Sequence, residues 1–292
     1  MTERTVRPAL DAPDAPDAPF APGVEEAEEP SAGPCCVPAA PCWVSLLSRD
    51  LLAAEAFYGP LLGWTFRAVP SPWGRYLYGL SGGTVVAGLA EVARRWEFPV
   101  AWTTYFGTED ADDAAERVRS GGGTVAVGPL TFDGGRIVLA ADAQNATFGI
   151  WQARAGPPRR LCGPGAPVWT ELRTSDPFAA ALFYGHVFGW DGRDARRYEV
   201  RYEHDRVVLR IDGRAVAAVR GGGREGTPEP LLRPRWHVSF GTADLDRSTA
   251  AAVRLGGRVV SPPTDWAYGR IAALQDPEGG LFHLVTGLPD DV

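Results

Sequence analysis

The sequence predicts an α+β protein made of two tandem copies of one domain, each copy built of two strand–helix–strand–strand–strand modules. Three observations carry this. First, a run is written twice: Cys42-Trp43-Val44-Ser45-Leu46-Leu47-Ser48-Arg49-Asp50 with Phe57-Tyr58 and Leu62-Gly63-Trp64 returns 126 residues later. There it reads Val168-Trp169-Thr170-Glu171-Leu172-Arg173-Thr174-Ser175-Asp176 with Phe183-Tyr184 and Phe188-Gly189-Trp190. Second, the intervening sequence is a series of short alternating runs separated by turn residues, the period of half-buried strands. Third, a Pro- and Gly-rich segment over 154–166 divides the halves and can continue neither element.

Residues 1–41 repeat Asp-Ala-Pro and then carry Glu25-Glu26-Ala27-Glu28-Glu29, with few large apolar groups to offset the entropy of ordering. They are expected to be a disordered acidic tail. In the first domain, 42–153, strand 43–48 leads into an amphipathic helix over 51–62 capped by Asp50, and Gly63-Trp64 turns the chain out. Strands 65–69, 75–80 and 84–89 follow. The unit then restarts with strand 101–106, helix 112–120 and strands 124–127, 136–140 and 147–152. The second domain, 167–287, repeats the plan. Its last module aligns at an offset of 134, pairing Trp102 with Trp236, Phe106 with Phe240, Asp142 with Asp276 and Phe148 with Phe282. The change of offset places about eight extra residues near 221–234.

The formal net charge is -7, and the tail holds eight acidic residues against Arg4 and Arg7, so the folded part is close to neutral. Neither a nucleic-acid backbone nor an anionic bilayer is an expected partner, whereas a small uncharged or amphipathic molecule is. All 29 basic residues are Arg, which fits a GC-rich codon bias of actinobacterial type and removes lysine Schiff-base chemistry. Cys35, Cys36, Cys42 and Cys162 follow no metal-binding spacing and are expected to be reduced in a cytoplasmic protein. No signal-peptide core or membrane-length apolar run is present, nor a GxSxG or Walker motif. A monomer or a homodimer fits this composition.

Four such modules in two tandem pairs, with an aromatic-Glu-Leu opening run, an Asp cap, Phe-Tyr and the closing Asp276-Pro277-Glu278-Gly279, resemble the vicinal oxygen chelate superfamily. That group includes glyoxalase I, bleomycin-resistance proteins, fosfomycin-resistance enzymes and extradiol dioxygenases. The resemblance covers residues 42–153 and 167–286. It implies curved mixed sheets around a cavity, with metal ligands on the opening and closing strands of the modules. In the second half His237 and His283 fall in those slots, Trp169 occupies the third, and Glu171 lies two residues along the same strand face. A set of Glu171, His237 and His283 holding Fe, Zn, Mn or Ni is the metal-dependent alternative; a metal-free protein is the favoured reading, because an indole cannot ligate. In the first half the slots hold Trp43, Thr103 and Gly149, so that half has no transition-metal site.

The candidate catalytic residues are therefore His237, His283 and Glu171, with Asp265, Tyr202 and Tyr268 behind them. Glu171 could instead pair with Arg173 or Arg210. Candidate substrate-binding residues are Trp169, Tyr202, Trp236, Trp266 and Tyr268 in the second half, and Trp73, Tyr105 and Trp151, with Tyr78, around a second, metal-free pocket in the first. The repeat-equivalent pairs Trp43 with Trp169, Trp64 with Trp190 and Trp102 with Trp236 also read as packing, while Trp73, Trp96, Trp151 and Trp266 belong to one half only and suit a planar ligand. His186 and His204 are expected to be solvated. Two functions fit: a small-molecule enzyme performing a non-redox acid–base step (isomerisation, cyclisation or ring opening) on an aromatic natural product, or a metal-free drug-binding self-resistance protein. A metal-dependent lyase or dioxygenase is the further alternative.

Overall fold

Every module begins with a strand followed within three residues by an aspartate, and each aspartate starts a helix. In the computed structural model, which describes residues 38–71, 74–94, 97–132, 134–153, 165–190, 197–222, 231 and 233–287, Asp50, Asp110, Asp176 and Asp244 are extended, and their carboxylates accept hydrogen bonds from first-turn amides. The helices whose full extent falls among the described residues are α1 (Leu51–Leu62), α2 (Ala111–Ser120), α3 (Pro177–Phe188) and α4 (Leu245–Arg254). Helices α1 and α3 end on Gly63 and Gly189 at φ of 71° and 67°, the left-handed conformation that glycine adopts without a Cβ clash.

The first domain is one eight-stranded sheet. Its strands are β1 (Pro41–Leu47), β2 (Thr65–Val69), β3 (Tyr76–Ser81), β4 (Thr84–Ala90), β5 (Ala101–Gly107), β6 (Thr124–Phe132), β7 (Gly135–Ala141) and β8 (Thr147–Ala153). They lie in the order β2-β3-β4-β1-β5-β8-β7-β6. The second domain repeats it with β9 (Pro167–Thr174), β10 (Tyr198–Glu203), β11 (Arg206–Ile211), β12 (Arg214–Gly221), β13 (Arg235–Gly241), β14 (Arg258–Trp266), β15 (Gly269–Gln275) and β16 (Leu281–Thr286), in the order β10-β11-β12-β9-β13-β16-β15-β14. The two opening strands of a domain meet antiparallel at the sheet centre, β1 on β5 and β9 on β13. Modules thus share a sheet within each half. Strand β6 runs five residues past the predicted 124–127.

Side chains alternate between two faces of each sheet. One face meets the helices, and there the cores run across the halves: Phe106, Phe148, Tyr184, Phe188 and Trp236 share one cluster, and Phe57, Tyr58, Trp102, Phe240 and Phe282 share another. Two matching chains of hydrogen bonds hold these clusters. Trp102 Nε1 donates to Tyr58 Oη at 2.9 Å and Tyr58 donates to Asp276 Oδ2 at 2.8 Å; Trp236 Nε1 donates to Tyr184 Oη at 2.9 Å and Tyr184 donates to Asp142 Oδ2 at 3.1 Å. The repeated Phe-Tyr, Trp and Asp are one structural device used twice.

The folded body starts earlier than composition implied. Ala39 is fully buried and its amide donates to Gly107 O, while Trp190 Nε1 and Tyr198 Oη donate to Ala39 O and Pro38 O. Residues 38–41, assigned to the tail, are held because two second-domain side chains satisfy their carbonyls. Cys42 is buried; Cys35, Cys36 and Cys162 lie outside the described residues. Among the described residues no helix is long and apolar enough to cross a membrane.

Candidate functional site: two unlike concave faces

The faces turned away from the helices differ between the domains. In the first, odd-numbered residues of β1, β5, β7 and β8 and even-numbered residues of β3 point inward around a cavity of about 500 Å³. Tyr76, Tyr78, Tyr105 and Trp151 form its aromatic wall, with Ser45 on the floor and Arg75 at the rim. Trp43 stands behind the wall, edge-on to Trp151 at 5.5 Å and to Tyr78 at 5.8 Å between centroids, and its Nε1 donates to Tyr76 Oη at 3.3 Å.

Two glycines make this wall possible. A Cβ on Gly149 would stand 2.1 Å from Tyr105 Cδ1, and one on Gly88 would stand 1.8 Å from Tyr76 Oη. Both tyrosines therefore lie over bare backbone. Gly149 is the position where the resemblance implies a closing-strand ligand, and the ring of Tyr105 lies over it. Burial pushes the Tyr76 and Tyr105 phenols up, opposed at Tyr76 by hydrogen bonds from Ser45 and Trp43. Tyr76 is thus a neutral hydroxyl, a donor for a ligand oxygen. Arg75, 57% exposed, pairs with Glu91 at 3.1 Å.

Of the residues expected here, Tyr78, Tyr105 and Trp151 line the cavity; Trp73, like Trp96, lies outside the described residues. Sequence reasoning missed Ser45, Arg75 and Tyr76. The signal was present for Tyr76, which by strand alternation shares a face with Tyr78.

The second domain brings His237, His283 and Glu171 together. His237 is opposite Glu171 and Ser239 is opposite both Trp169 and His283 in the strand register, and the two imidazoles stack in parallel at 4.6 Å. All three candidates are buried, the histidines 2% and 7% exposed. Burial, with the charge of Arg173 nearby, pulls His237 well below its ordinary range and His283 down to about 3, so both rings are neutral. Glu171 is tied to Arg206 at 2.9 Å, a partner that spacing along the chain did not suggest; Arg210 is held by Glu203. Arg206 lies under Trp266 and Tyr268, its Cζ 5.9 Å and 5.5 Å from their centroids, and Tyr268 stands edge-on to Trp169 at 6.2 Å. Three expected ligand-wall residues thus pack on one another around a guanidinium.

Two other expectations are corrected. Trp236 does not stand on this concave face; it points to the helix side, where Tyr184 accepts its indole hydrogen. Tyr202 shares the helix-side face with Tyr198 and Val207, its cross-strand partner, and is 75% exposed at the edge strand. Asp265 is exposed, as are His186, which contacts Ser120 Oγ, and His204, beside Tyr268.

The donor set of the second domain does not fit a divalent cation. One slot is the indole of Trp169, Glu171 is engaged by Arg206, and Arg173 adds positive charge beside both imidazoles. Among the described residues no three His, Cys, Asp or Glu side chains gather as metal ligands.

The family model described as a glyoxalase-like domain matches residues 169–285. The chain is 35% identical over 264 residues to the anthracycline biosynthesis protein DauV of Streptomyces sp. (strain C5), covering 85% of this chain and 93% of that one. It is 32% identical over 256 residues to CFP32 of Mycobacterium tuberculosis (strain CDC 1551 / Oshkosh), covering 85% and 95%. Among solved structures, the Mn(II)-bound glyoxalase from Novosphingobium aromaticivorans superposes with a TM-score of 0.55 at 16% identity, covering 85% of this chain and 82% of that one, which speaks to the fold. With two eight-stranded sheets of this topology and relatives matched over nearly their whole length, the chain belongs to the glyoxalase-like, vicinal oxygen chelate superfamily as a tandem two-domain member.

Proposed function

We propose that this chain binds a planar, polycyclic aromatic small molecule in the cavity of its first domain, as a step of antibiotic biosynthesis of the anthracycline type. The observation that carries the reading is the composition of the cavity wall. Tyr76, Tyr78, Tyr105 and Trp151 surround about 500 Å³, within the range of small-molecule sites. Each aromatic contact with a planar ligand contributes about 0.5–1.5 kcal/mol beyond area burial. The Tyr76 hydroxyl suits a quinone or phenol oxygen, and Arg75 at the rim suits an acidic substituent. The described lining holds no His, Cys, Asp or Glu, hence no general base poised near neutral pH and no first-row metal donor of the usual kinds. Binding and orientation are what these side chains supply. The name of DauV supports the ligand class, since anthracyclines are planar tetracyclic quinones.

The test is calorimetric titration of the full chain with a tetracyclic anthraquinone aglycone. Saturable binding is expected, weakened about tenfold or more (about 1.4 kcal/mol) by Trp151→Ala. No binding, or equal binding by that variant, would overturn the reading.

A second reading, acid–base catalysis by His237 and His283 with Glu171, is supported by one observation: both ring nitrogens of His237 are buried with no hydrogen-bond partner. It requires Glu171 to leave Arg206. Under it, His237→Ala abolishes conversion of the aglycone while leaving its affinity intact; under the first, no conversion occurs and the affinity is unchanged.

A further inference from the structure

One hydroxyl in the first domain's cavity has no partner within the protein. Tyr105 is 6% exposed and lines the cavity, yet among the described residues nothing hydrogen-bonds its Oη. The atom is not sealed among side chains, as the unpartnered Trp169 Nε1 and Tyr268 Oη of the second domain are, so the space it reaches is the cavity. Its neighbour Tyr76 is placed differently: that Oη accepts hydrogen bonds from Trp43 and Ser45.

The ring that carries the free hydroxyl is held in place. Its Cδ1, Cε1 and Cγ lie 2.1, 2.3 and 2.5 Å from where a Cβ on Gly149 would stand, Trp151 is edge-on at 6.5 Å, and Trp43 is opposite in the strand register. A fixed ring fixes its hydroxyl, so a ligand that meets it costs the protein little further ordering. The shared fold does not demand this arrangement. The repeat equivalents of Tyr105 and Gly149, 134 residues on, are Ser239 and His283. Only the first domain sets a hydroxyl-bearing ring over bare backbone.

Burial keeps the Tyr105 phenol protonated, so it offers an O–H to an acceptor. An ionised oxygen inside this cavity would lose its water without gaining a counter-ion. The one cation among the described lining residues, Arg75, is 57% exposed at the rim and already pairs with Glu91. The acceptor that fits is therefore neutral, and on a planar aromatic framework that is a ring carbonyl.

We propose that Tyr105 determines the specificity of the first domain's cavity by donating its Oη hydrogen to a ring carbonyl, which favours planar polycyclic quinones and ketones over arenes of the same outline. This rests on the reading of the cavity as an aromatic-ligand site. An arene leaves the hydroxyl desolvated and unpaired, whereas a carbonyl satisfies it, and that difference is the source of selection.

Anthraquinone-2-sulfonate and anthracene-2-sulfonate are the probes, because they share charge and ring outline and differ in the two carbonyls. Calorimetric titration of the full chain and of Tyr105→Phe compares them. The substitution should weaken the quinone about tenfold and leave the anthracene unchanged or tighter, a split that misfolding would not produce. Trp151→Ala should weaken both probes. The urea midpoint of Tyr105→Phe should be no lower than that of wild type, since no protein hydrogen bond is lost. Binding of both probes with an equal change in Tyr105→Phe, or an unchanged quinone affinity, would overturn the inference and leave the aromatic site standing. A lowered urea midpoint would make the hydroxyl structural and overturn it too. Failure of both probes to bind, or binding indifferent to Trp151→Ala, would overturn the aromatic reading and this inference with it.

Discussion

Tyr58, on the first helix, donates its hydroxyl hydrogen at 2.8 Å to Asp276, which lies 218 residues later in the turn that closes the last sheet. The same relation joins Tyr184 to Asp142 at 3.1 Å. Each carboxylate also accepts amide hydrogens of its own turn, Glu278 and Gly280 for Asp276, Gln144 and Ala146 for Asp142. Helix and turn from opposite halves are thus locked by one buried network at each end of the interface.

Tyr58→Phe is expected to destabilise the fold by about 1–3 kcal/mol, since it removes both the donor to Asp276 and the acceptor of Trp102 Nε1. Urea denaturation of the single and the Tyr58→Phe/Tyr184→Phe double variant checks this. The two networks share no residue, so the losses should add.

Gly149→Ala should collapse the first cavity's wall. Its new Cβ would meet the Tyr105 ring at 2.1 Å, and Tyr105 must move toward Trp151 or into the cavity. Overpacking of this kind costs about 1–3 kcal/mol in stability. The aglycone affinity measured by calorimetry should fall.

Stability should drop as pH falls below the ordinary histidine range. His237 and His283 stay neutral in the folded chain, with His283 down at about 3, while the unfolded chain protonates both. A depressed folded pKa of a base means that stability present above the unfolded value is lost below it. The slope is about 1.4 kcal/mol per pH unit for each histidine between about pH 6.5 and the folded value. Burial raises Asp142 and Asp276, which act in the opposite sense near the carboxylate range. Urea midpoints of wild type and His283→Gln at pH 7, 6 and 5 isolate the histidine contribution: the variant should show a shallower loss.

Glu171→Gln should destabilise by roughly 3 kcal/mol, the low end for breaking a buried ion pair, because Asp205 still holds Arg206 at 3.2 Å. Replacing Glu171 and Arg206 together by Gln and Met should be less harmful than the single change. Thermal unfolding of the three variants reads this coupling. Equal stability of wild type and Glu171→Gln would argue that Glu171 serves chemistry and not packing.

The tandem fold, its module order and all four helix caps were legible in the sequence, because a repeated Asp, Phe-Tyr and Gly-Trp mark strand ends, helix faces and helix exits by local rules. So was the face on which Trp169, Glu171, His237 and His283 stand, since strand alternation is a local property. Which side of the sheet a residue serves once the halves meet was not local. Trp236 reads as a ligand aromatic until Tyr184 of the same domain, itself held by Asp142 of the other half, accepts its indole hydrogen. Only the tertiary structure decided that Arg206, 35 residues beyond Glu171, would claim that carboxylate. Only it decided that Gly88 and Gly149 would leave room for tyrosines, and so which of two similar concave faces is an open aromatic cavity and which a packed, cationic one. Charge pairing and cavity volume depend on distances across strands far apart in sequence, and a one-dimensional pattern does not contain them.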